Sequence, residues 1–530
     1  MIFTFYIIIK VLLMNKLTYA ILLVALVLLP IDAAAASLQT TVDNWFSPFS
    51  QAFSDLVFTK FSLFGHSIPL IVLWLACAAL FFTFYLGFIN IRAFPYAVKL
   101  VKGNYDLDNK TSGEISHFQA LATAISGTVG IGNIGGVAVA IGIGGPGAAF
   151  WLIVAGFLAM STKLVECTLG VKYRKEHADG SVSGGPMYYL EEFMRVRNYP
   201  KLGKAMGGFY AIALVIGCLG IGNMFQANQA YIQFVGVTGE KTSFFADKGW
   251  LFGLIMAFVV ALVIMGGIRS IAKVASKLVP FMAGVYVIFS LIIIAMSSEH
   301  IPSALQQMFS GAFTSDGLTG GAIGAMIVGF QRALFSNEAG IGSASIAHSA
   351  VKTDNPASEG LVSILEPFID TVIICSLTSL VIITTAYPNN LHEEGLEGIA
   401  LTSATFAHHI SWSPYPIAVA ALLFAFSTTV SWSYYGLKGW TYLFGNNAKV
   451  QMVFKAIFCS FITLGCMTNL TSVLNFSDAI VFLIAIPNII GLYLFAPEVK
   501  REVNAYLDKL KSIDEQKRER SSPTTGRETV

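Results

Sequence analysis

The chain has 530 residues, of which 55% are hydrophobic and only 12% charged, with a formal net charge of +2 and a mean hydropathy of +0.68. Soluble domains carry about 25% charged residues, so a chain this apolar has more oily surface than one aqueous core hides, and it reads as an all-α polytopic membrane protein. The near-neutral balance gives no footing for nucleic acid. Six cysteines, each alone in an apolar run, form no CxxC or His/Cys cluster, which argues against a disulfide framework or zinc.

From Met14 a basic start, an apolar stretch and small residues at Ala33 to Ala36 predict a secretory signal over 1–36. The alternative is an uncleaved anchor helix, and either places residue 40 outside the cytoplasm. Residues 37–66 follow as an extracytoplasmic amphipathic segment. A span needs about 20 mostly apolar residues, and eleven are predicted: 67–90, 118–142, 146–170, 206–235, 250–268, 278–297, 318–350, 359–384, 414–437, 449–467 and 471–496. The first stands ahead of two groups of five, 118–297 and 318–496. The charged segment 497–530 is expected to be a cytoplasmic tail, a short helix followed by disorder.

Lysine and arginine set the orientation. With residue 66 outside, the inner loops and tail hold 25 of them and the outer segments hold Lys60, Lys241 and Lys248. That asymmetry leaves the C-terminus in the cytoplasm.

Gly-Ile-Gly followed by a polar residue occurs at 130–133, 220–223 and 340–343. The first and third fall in spans two and seven, the leading helices of the two groups. Five is odd, so the second group enters from the opposite side, which predicts an inverted repeat. Glycine-interrupted helices in matching positions of such halves point to a transport site.

Nine glycines fall between 127 and 147, from span two into the start of span three. Each costs a helix roughly 1 kcal/mol against alanine. Close packing of helices accounts for Gly135, Gly136 and Gly142. Around Gly127–Asn133 the polar Ser126, Thr128 and Asn133 predict an unwound turn instead. Its carbonyls suit a hard cation, and the N–H groups of the next half-helix suit a carboxylate. The formal GxGxxG at 130–135 is not a dinucleotide fingerprint. That motif needs a preceding strand and an acid about 20 residues on, and here the next acid is Glu166, beyond a second span.

Span four contains GIGNMFQANQ at 220–229, in which Asn223 and Gln226 are expected to share a face; that face either lines a cavity or bonds a neighbouring helix. Span seven contains GFQRALFSNEAGIGSASIAHS at 329–349, and Arg332 is expected to pair with Glu338 or Glu366. Span eight places Glu366 and Asp370 in its inner half, where they suit a proton. No carboxylate lies in the span-two stretch itself, which favours Na⁺ over H⁺ there. Span nine ends FAFSTTVSWSYYG, with Thr428, Thr429 and the Ala425 carbonyl on one face and Trp432 a turn beyond Thr428 as a candidate roof. His348, His408 and His409 are expected to be interfacial or solvated.

Several long stretches, GTVGIGNIGGVAVAIGIGGPGAAFW at 127–151, SGGPMYYLE at 183–191, GGIRSIAKVASKLVPFMA at 266–283, FQRALFSNEAGIGSASIAHSA at 330–350 and STTVSWSYYG at 427–436, resemble the alanine or glycine:cation symporters of bacteria and archaea over about 70–500. The resemblance implies inward transport of a small neutral amino acid with Na⁺, or in some members H⁺. It implies a LeuT-like fold, a 5+5 inverted repeat with one extra N-terminal helix. By that resemblance the substrate carboxylate meets Thr128, Ile131 and Gly132, beside Asn133. The cation meets the carbonyls of Ser126 and Val129 together with Ala425, Thr428 and Thr429. Phe335, Ser336 and Asn337 follow by nearness to the second break, and Gln226 and Trp432 by facing as much as by resemblance.

The expectation is therefore Na⁺-coupled symport of alanine or glycine across the inner membrane, with the lipid bilayer as surroundings and no obligate protein partner. Rival readings are H⁺ coupling, a glutamine symporter, a transporter-like nutrient sensor, and an intramembrane enzyme. The sensor wants a longer tail. The enzyme wants an HExxH, a Ser/Lys or Ser/His pair, or a metal cluster, none of which the sequence offers.

Overall fold

A computed structural model describes residues 32–63, 66–105, 112–177, 180–313 and 321–521. The expected signal peptide lies almost wholly outside these residues. A helix, Asp32–Val57, runs through its expected end and packs Phe46, Phe49 and Phe53 around Phe476. The described chain is helical apart from two short antiparallel pairs, Lys60–Leu63 with His66–Pro69 and Lys175–Glu176 with Val182–Ser183. Among the described residues seven helical runs are long and apolar enough to cross a membrane, and Leu70–Tyr85 and Gly249–Ile264 are shorter apolar helices. Phe258, Leu262, Phe281, Ile288 and Leu291 point outward. The apolar faces thus surround the molecule, while many polar side chains are buried within it.

The interior is built by α1 (His117–Thr128), α2 (Gly135–Lys172), α3 (Pro200–Leu219), α4 (Phe225–Val237), α5 (Gly321–Asn337), α6 (Ser343–His348), α7 (Pro356–Ser363), α8 (Pro414–Phe444) and α9 (Leu470–Ser521). A reciprocal capping box starts α1: Ser116 Oγ accepts from the Gln119 amide, and the Gln119 side chain accepts from the Ser116 amide. α2 joins the far half of the second expected span to the third through a kink. Gly145 takes φ 69°, a left-handed conformation that favours glycine, just ahead of Pro146.

α2 packs closely through small residues against two helices. A Cβ on Gly147 would fall 2.2 Å from Gly311 on the helix Ile301–Phe313, and one on Gly329 of α5 2.6 Å from the Ala148 carbonyl. The packing expected of Gly135, Gly136 and Gly142 holds only for Gly135, since a Cβ on either of the others meets nothing within 4 Å.

Two boundaries differ from expectation. Residues 268–278, read as a loop, belong to the helix Gly267–Met296, whose Arg269, Lys273 and Lys277 stay exposed. The helix expected at the start of the tail continues the last span without interruption to Ser521. Lys99 holds Asp514 at 2.6 Å, and Lys172 holds Glu498 at 3.0 Å, so the extension is tied to the helical body.

Candidate functional site

α1 stops where its amides turn away. Val129 N–H still bonds the Ile125 carbonyl at 2.7 Å, the last helical bond. Gly130 N–H donates instead to Asn133 Oδ1 at 2.8 Å, and Ile131 N–H to Gln226 Oε1 at 3.2 Å. These two amides would otherwise have closed the turns onto the carbonyls of Ser126 and Gly127. Those carbonyls are thereby left without helical donors at a buried helix end. A short 3₁₀ turn, Ile131–Asn133, leads into α2.

The second break separates α5 from α6. Glu338, Gly340 and Gly342 have φ of 57°, 91° and 87°. Gly340 and Gly342 supply this left-handed geometry without penalty, whereas Glu338 adopts it under strain. Glu338 is held on both sides of its carboxylate: Trp432 Nε1 donates to Oε1 at 2.9 Å, and Ser343 Oγ donates to Oε2.

Asp370 joins the two breaks. Its Oδ1 accepts from Asn133 Nδ2 at 2.6 Å, and its Oδ2 accepts from Ser336 Oγ at 2.9 Å and Thr371 Oγ1 at 2.7 Å. It sits in the π-helical stretch Phe368–Cys375. π segments recur at functional sites because the extra residue per turn re-aims side chains. Sequence reasoning kept the span-two stretch free of carboxylates. The tertiary structure brings one in from span eight.

α8 approaches the first break closely. A Cβ on Gly130 would lie 2.6 Å from Thr428 Oγ1 and 3.0 Å from Gln226 Oε1. Thr428 and Thr429 are at most 1% exposed, and neither hydroxyl has a hydrogen-bond partner. A helical threonine ordinarily bonds back to its own turn, as Thr378 and Thr384 do here. The two on α8 do not. Ser126 Oγ is committed to Ser427, meeting its carbonyl at 2.9 Å and its hydroxyl at 2.6 Å. Ser427 was not singled out from the sequence, although it directly precedes the Thr-Thr pair.

The profile of the sodium:alanine symporter family matches residues 51–520. The chain belongs to the sodium:alanine symporter family. It is 38% identical over 439 residues to the sodium/alanine symporter AgcS of Methanococcus maripaludis, covering 83% of this chain and 94% of AgcS. An uncharacterized transporter of Haemophilus influenzae is 35% identical, with 86% and 97% covered. A Bacillus subtilis relative described as a probable sodium/glutamine symporter, GlnT, is 31% identical, with 82% and 87% covered. In fold the chain is similar to MhsT, solved in complex with L-phenylalanine. The TM-score is 0.54 at 15% identity, covering 74% of this chain and 93% of MhsT, and the architecture is thus LeuT-like. The protein is a membrane transporter, not an enzyme.

Every expected site residue of the symporter is buried. Thr128, Val129, Ile131, Gly132 and Asn133 form or flank the first break, and Gln226 reaches it. Phe335 stands against it too, 3.7 Å from where a Gly132 Cβ would be, and packs edge-on to Phe225. Ala425 lies on α8, one turn before Thr428 and Thr429. Asn337 sits at the second break, donating to Thr371 Oγ1 at 3.1 Å and accepting from the Ala339 amide at 3.0 Å. Trp432 is fully buried over Gly222, whose absent side chain makes the room: a Cβ there would lie 2.0 Å from the Trp432 Cγ.

Three expectations are corrected. Arg332 pairs with Asp478 on α9, not with Glu338 or Glu366. Gln331 adds a bond to the same carboxylate at 3.2 Å. Asn223 parts from Gln226: it bonds the Phe458 carbonyl of a neighbouring helix at 2.7 Å, one of the two outcomes expected of these amides, while Gln226 meets the Ile131 amide, because the π-helical stretch Gly220–Met224 takes more residues per turn than the α-helical spacing assumed. His348 is neither interfacial nor solvated. It is fully buried and bonds Glu359, which also holds His117. His408, by contrast, is exposed as expected.

Both ends of the site are shut. At one end the Arg332–Asp478 pair floors an open depression of about 540 Å³ that Val139, Gly142, Ile143 and Glu397 also line. At the other, Arg174 donates to the carbonyls of Ser349 at 3.0 Å, Val351 at 2.6 Å and Thr353 at 2.9 Å, just beyond α6. The Glu114 amide meets the Ala350 carbonyl at 2.7 Å beside the His117–Glu359–His348 cluster.

Proposed function

We propose that this symporter moves small neutral amino acids, alanine and glycine, into the cell together with Na⁺, by alternating access across the bacterial inner membrane. The observation that carries the reading is the pair of buried, unpartnered hydroxyls of Thr428 and Thr429 against the broken end of α1. Na⁺ is a hard ion that takes oxygen. With the carbonyls of Ser126, Val129 and Ala425 these two hydroxyls make an all-oxygen donor set. The substrate carboxylate is assigned to the Thr128–Asn133 turn, where Gln226 exchanges its bond to the Ile131 amide for one to the ligand. Phe335, Asn337 and Trp432 close the small side-chain space.

The topology that goes with this reading has eleven spans: one extra helix, then two inverted groups of five whose leading helices are the broken ones. Residues 1–36 act as the signal, and the C-terminus is cytoplasmic. AgcS, the sodium/alanine symporter to which the chain is 38% identical, supports this choice of cargo.

A second reading, H⁺ as the coupling ion, is favoured by one observation, the Asp370 carboxylate between the two breaks. A glutamine cargo draws support from the likeness to GlnT. The deciding experiment is uptake of labelled alanine into proteoliposomes under an inward Na⁺ gradient, challenged by a panel of unlabelled amino acids. Equal uptake with K⁺ at fixed pH rejects sodium coupling, and stronger competition by glutamine than by glycine rejects the small cargo.

A further inference from the structure

Between the second break and the loop 351–358 lies a buried cluster that the site above does not use. Lys163 Nζ meets Glu366 Oε1 at 3.0 Å, both side chains fully buried. Glu166, one helical turn from Lys163 on α2, is also fully buried, and so nearly is Glu338. Lys163 lies within electrostatic reach of all three carboxylates. Among the described residues the other titratable groups that face the cluster are Cys167, Tyr189, Tyr210, Tyr435 and Asp370, none of them cationic. Among the described residues one cation thus stands against three acids in a buried interior. An uncompensated carboxylate there takes up a proton in preference to staying charged.

The hydrogen bonds single out which acid is least supported as an anion. Glu338 accepts from two donors, Trp432 and Ser343, and Glu366 has the ammonium group. Glu166 has only neutral donors, Asn488 Nδ2 at 2.8 Å and the Gly340 backbone, and its Oε2 has no hydrogen-bond partner, whereas both oxygens of Glu338 are bonded. We propose that Glu166 is a proton-binding site wired to the second break through Asn488.

The same Asn488 amide donates to the Gly340 carbonyl at 2.9 Å, and its Oδ1 accepts from the Tyr189 hydroxyl. Asn488 thus clamps Glu166 to the turn that separates α5 from α6. A neutral carboxyl accepts more weakly than an anion. Gain or loss of the proton at Glu166 therefore changes the hold of Asn488 on the break. The ligand is a proton from water, and it exchanges when the 351–358 side opens. The link to transport rests on the symport reading above; the proton itself does not.

The test is infrared spectroscopy of the purified full-length symporter at neutral pH, read at the carbonyl stretch of protonated carboxyl groups. A band is expected that shifts when glutamate is labelled with ¹³C, disappears in Glu166→Gln and persists in Asp370→Asn. Absence of the band, or its loss in Glu366→Gln with survival in Glu166→Gln, overturns the assignment. Should Glu166→Gln fail to fold, Asn488→Leu serves instead. It removes the side-chain donor to Glu166 and must move the band, and an unmoved band overturns the proposal. In proteoliposomes the pH dependence of Na⁺-driven alanine uptake is expected to flatten in Glu166→Gln. Wild-type protein that shows the band yet takes up no alanine refutes the symport reading and leaves the proton site standing.

Discussion

Consider Gly130→Ala. Gly130 has φ −134°, which any residue adopts, so the backbone bears no strain from a side chain. Space is the obstacle: the new Cβ would lie 2.6 Å from Thr428 Oγ1 and 3.0 and 3.3 Å from the Gln226 amide atoms. Thr428 is β-branched and stiff about χ1, so it yields only by turning its hydroxyl out of the cation set or by shifting α8. Overpacking of this kind costs about 1–3 kcal/mol. If that cost falls on the ion-bound state, it weakens Na⁺ activation by roughly 5- to 150-fold, at about 1.4 kcal/mol per tenfold. Gly136→Ala is the matched control, since its Cβ meets nothing within 4 Å and alanine is the better helix former. The assay is the Na⁺ dependence of alanine uptake, with a thermal melt of each variant. Gly130→Ala with Na⁺ activation equal to that of Gly136→Ala refutes the placement of Thr428 at the ion.

Thr428→Val with Thr429→Val removes two hydroxyls that have no partner in the protein, so the melting temperature should hold or rise, because burying an unbonded hydroxyl is itself unfavourable. Na⁺ activation should fall at least about tenfold, and a variant that loses stability but keeps its Na⁺ response removes the pair from the cation site. Asp478→Ala strips Arg332 of its carboxylate and should destabilise the fold by about 3–5 kcal/mol, whereas Arg332→Met with Asp478→Leu should recover most of the loss; a melt in which the double variant is the worse rejects the pair as a buried closure. His409 meets Ser297 Oγ at 2.7 Å and Thr385 Oγ1 at 3.1 Å. Burial, with His408 and His300 behind it, holds its imidazole below the usual range. The folded state thus resists the proton, so this stability is whole above the ordinary histidine pKa of about 6.5 and falls as pH drops below it. His409→Gln should flatten that acid limb in thermal melts taken from pH 8 to 5 (roughly the histidine range), and an unchanged limb shows that His409 does not set it.

Much of the site was legible because its signals are local. A run of glycines with interleaved Ser126, Thr128 and Asn133 cannot hold a regular helix in hydrocarbon, and the chain breaks there and again at Glu338–Gly342. Ala425, Thr428 and Thr429 fall on one face by α-helical spacing alone, and α8 is regular through them. The facing argument failed at Asn223 because it assumed α-helical winding in a stretch that is π-helical.

Pairings across the molecule were the less legible part. Composition and periodicity determined that the chain is a helical membrane protein and where its helices break. They could name Arg332 as a charge in want of a partner and Glu366 and Asp370 as acids suited to a proton. Only the tertiary structure decided that Asp478, 146 residues further on, takes Arg332, that Lys163 takes Glu366, and that Asp370 joins both breaks. The physical reason is one of range. Helical spacing fixes neighbours three and four residues apart, whereas contacts between helices depend on their relative rotation and depth, which small residues such as Gly147 and Gly329 set by how closely they let the backbones approach.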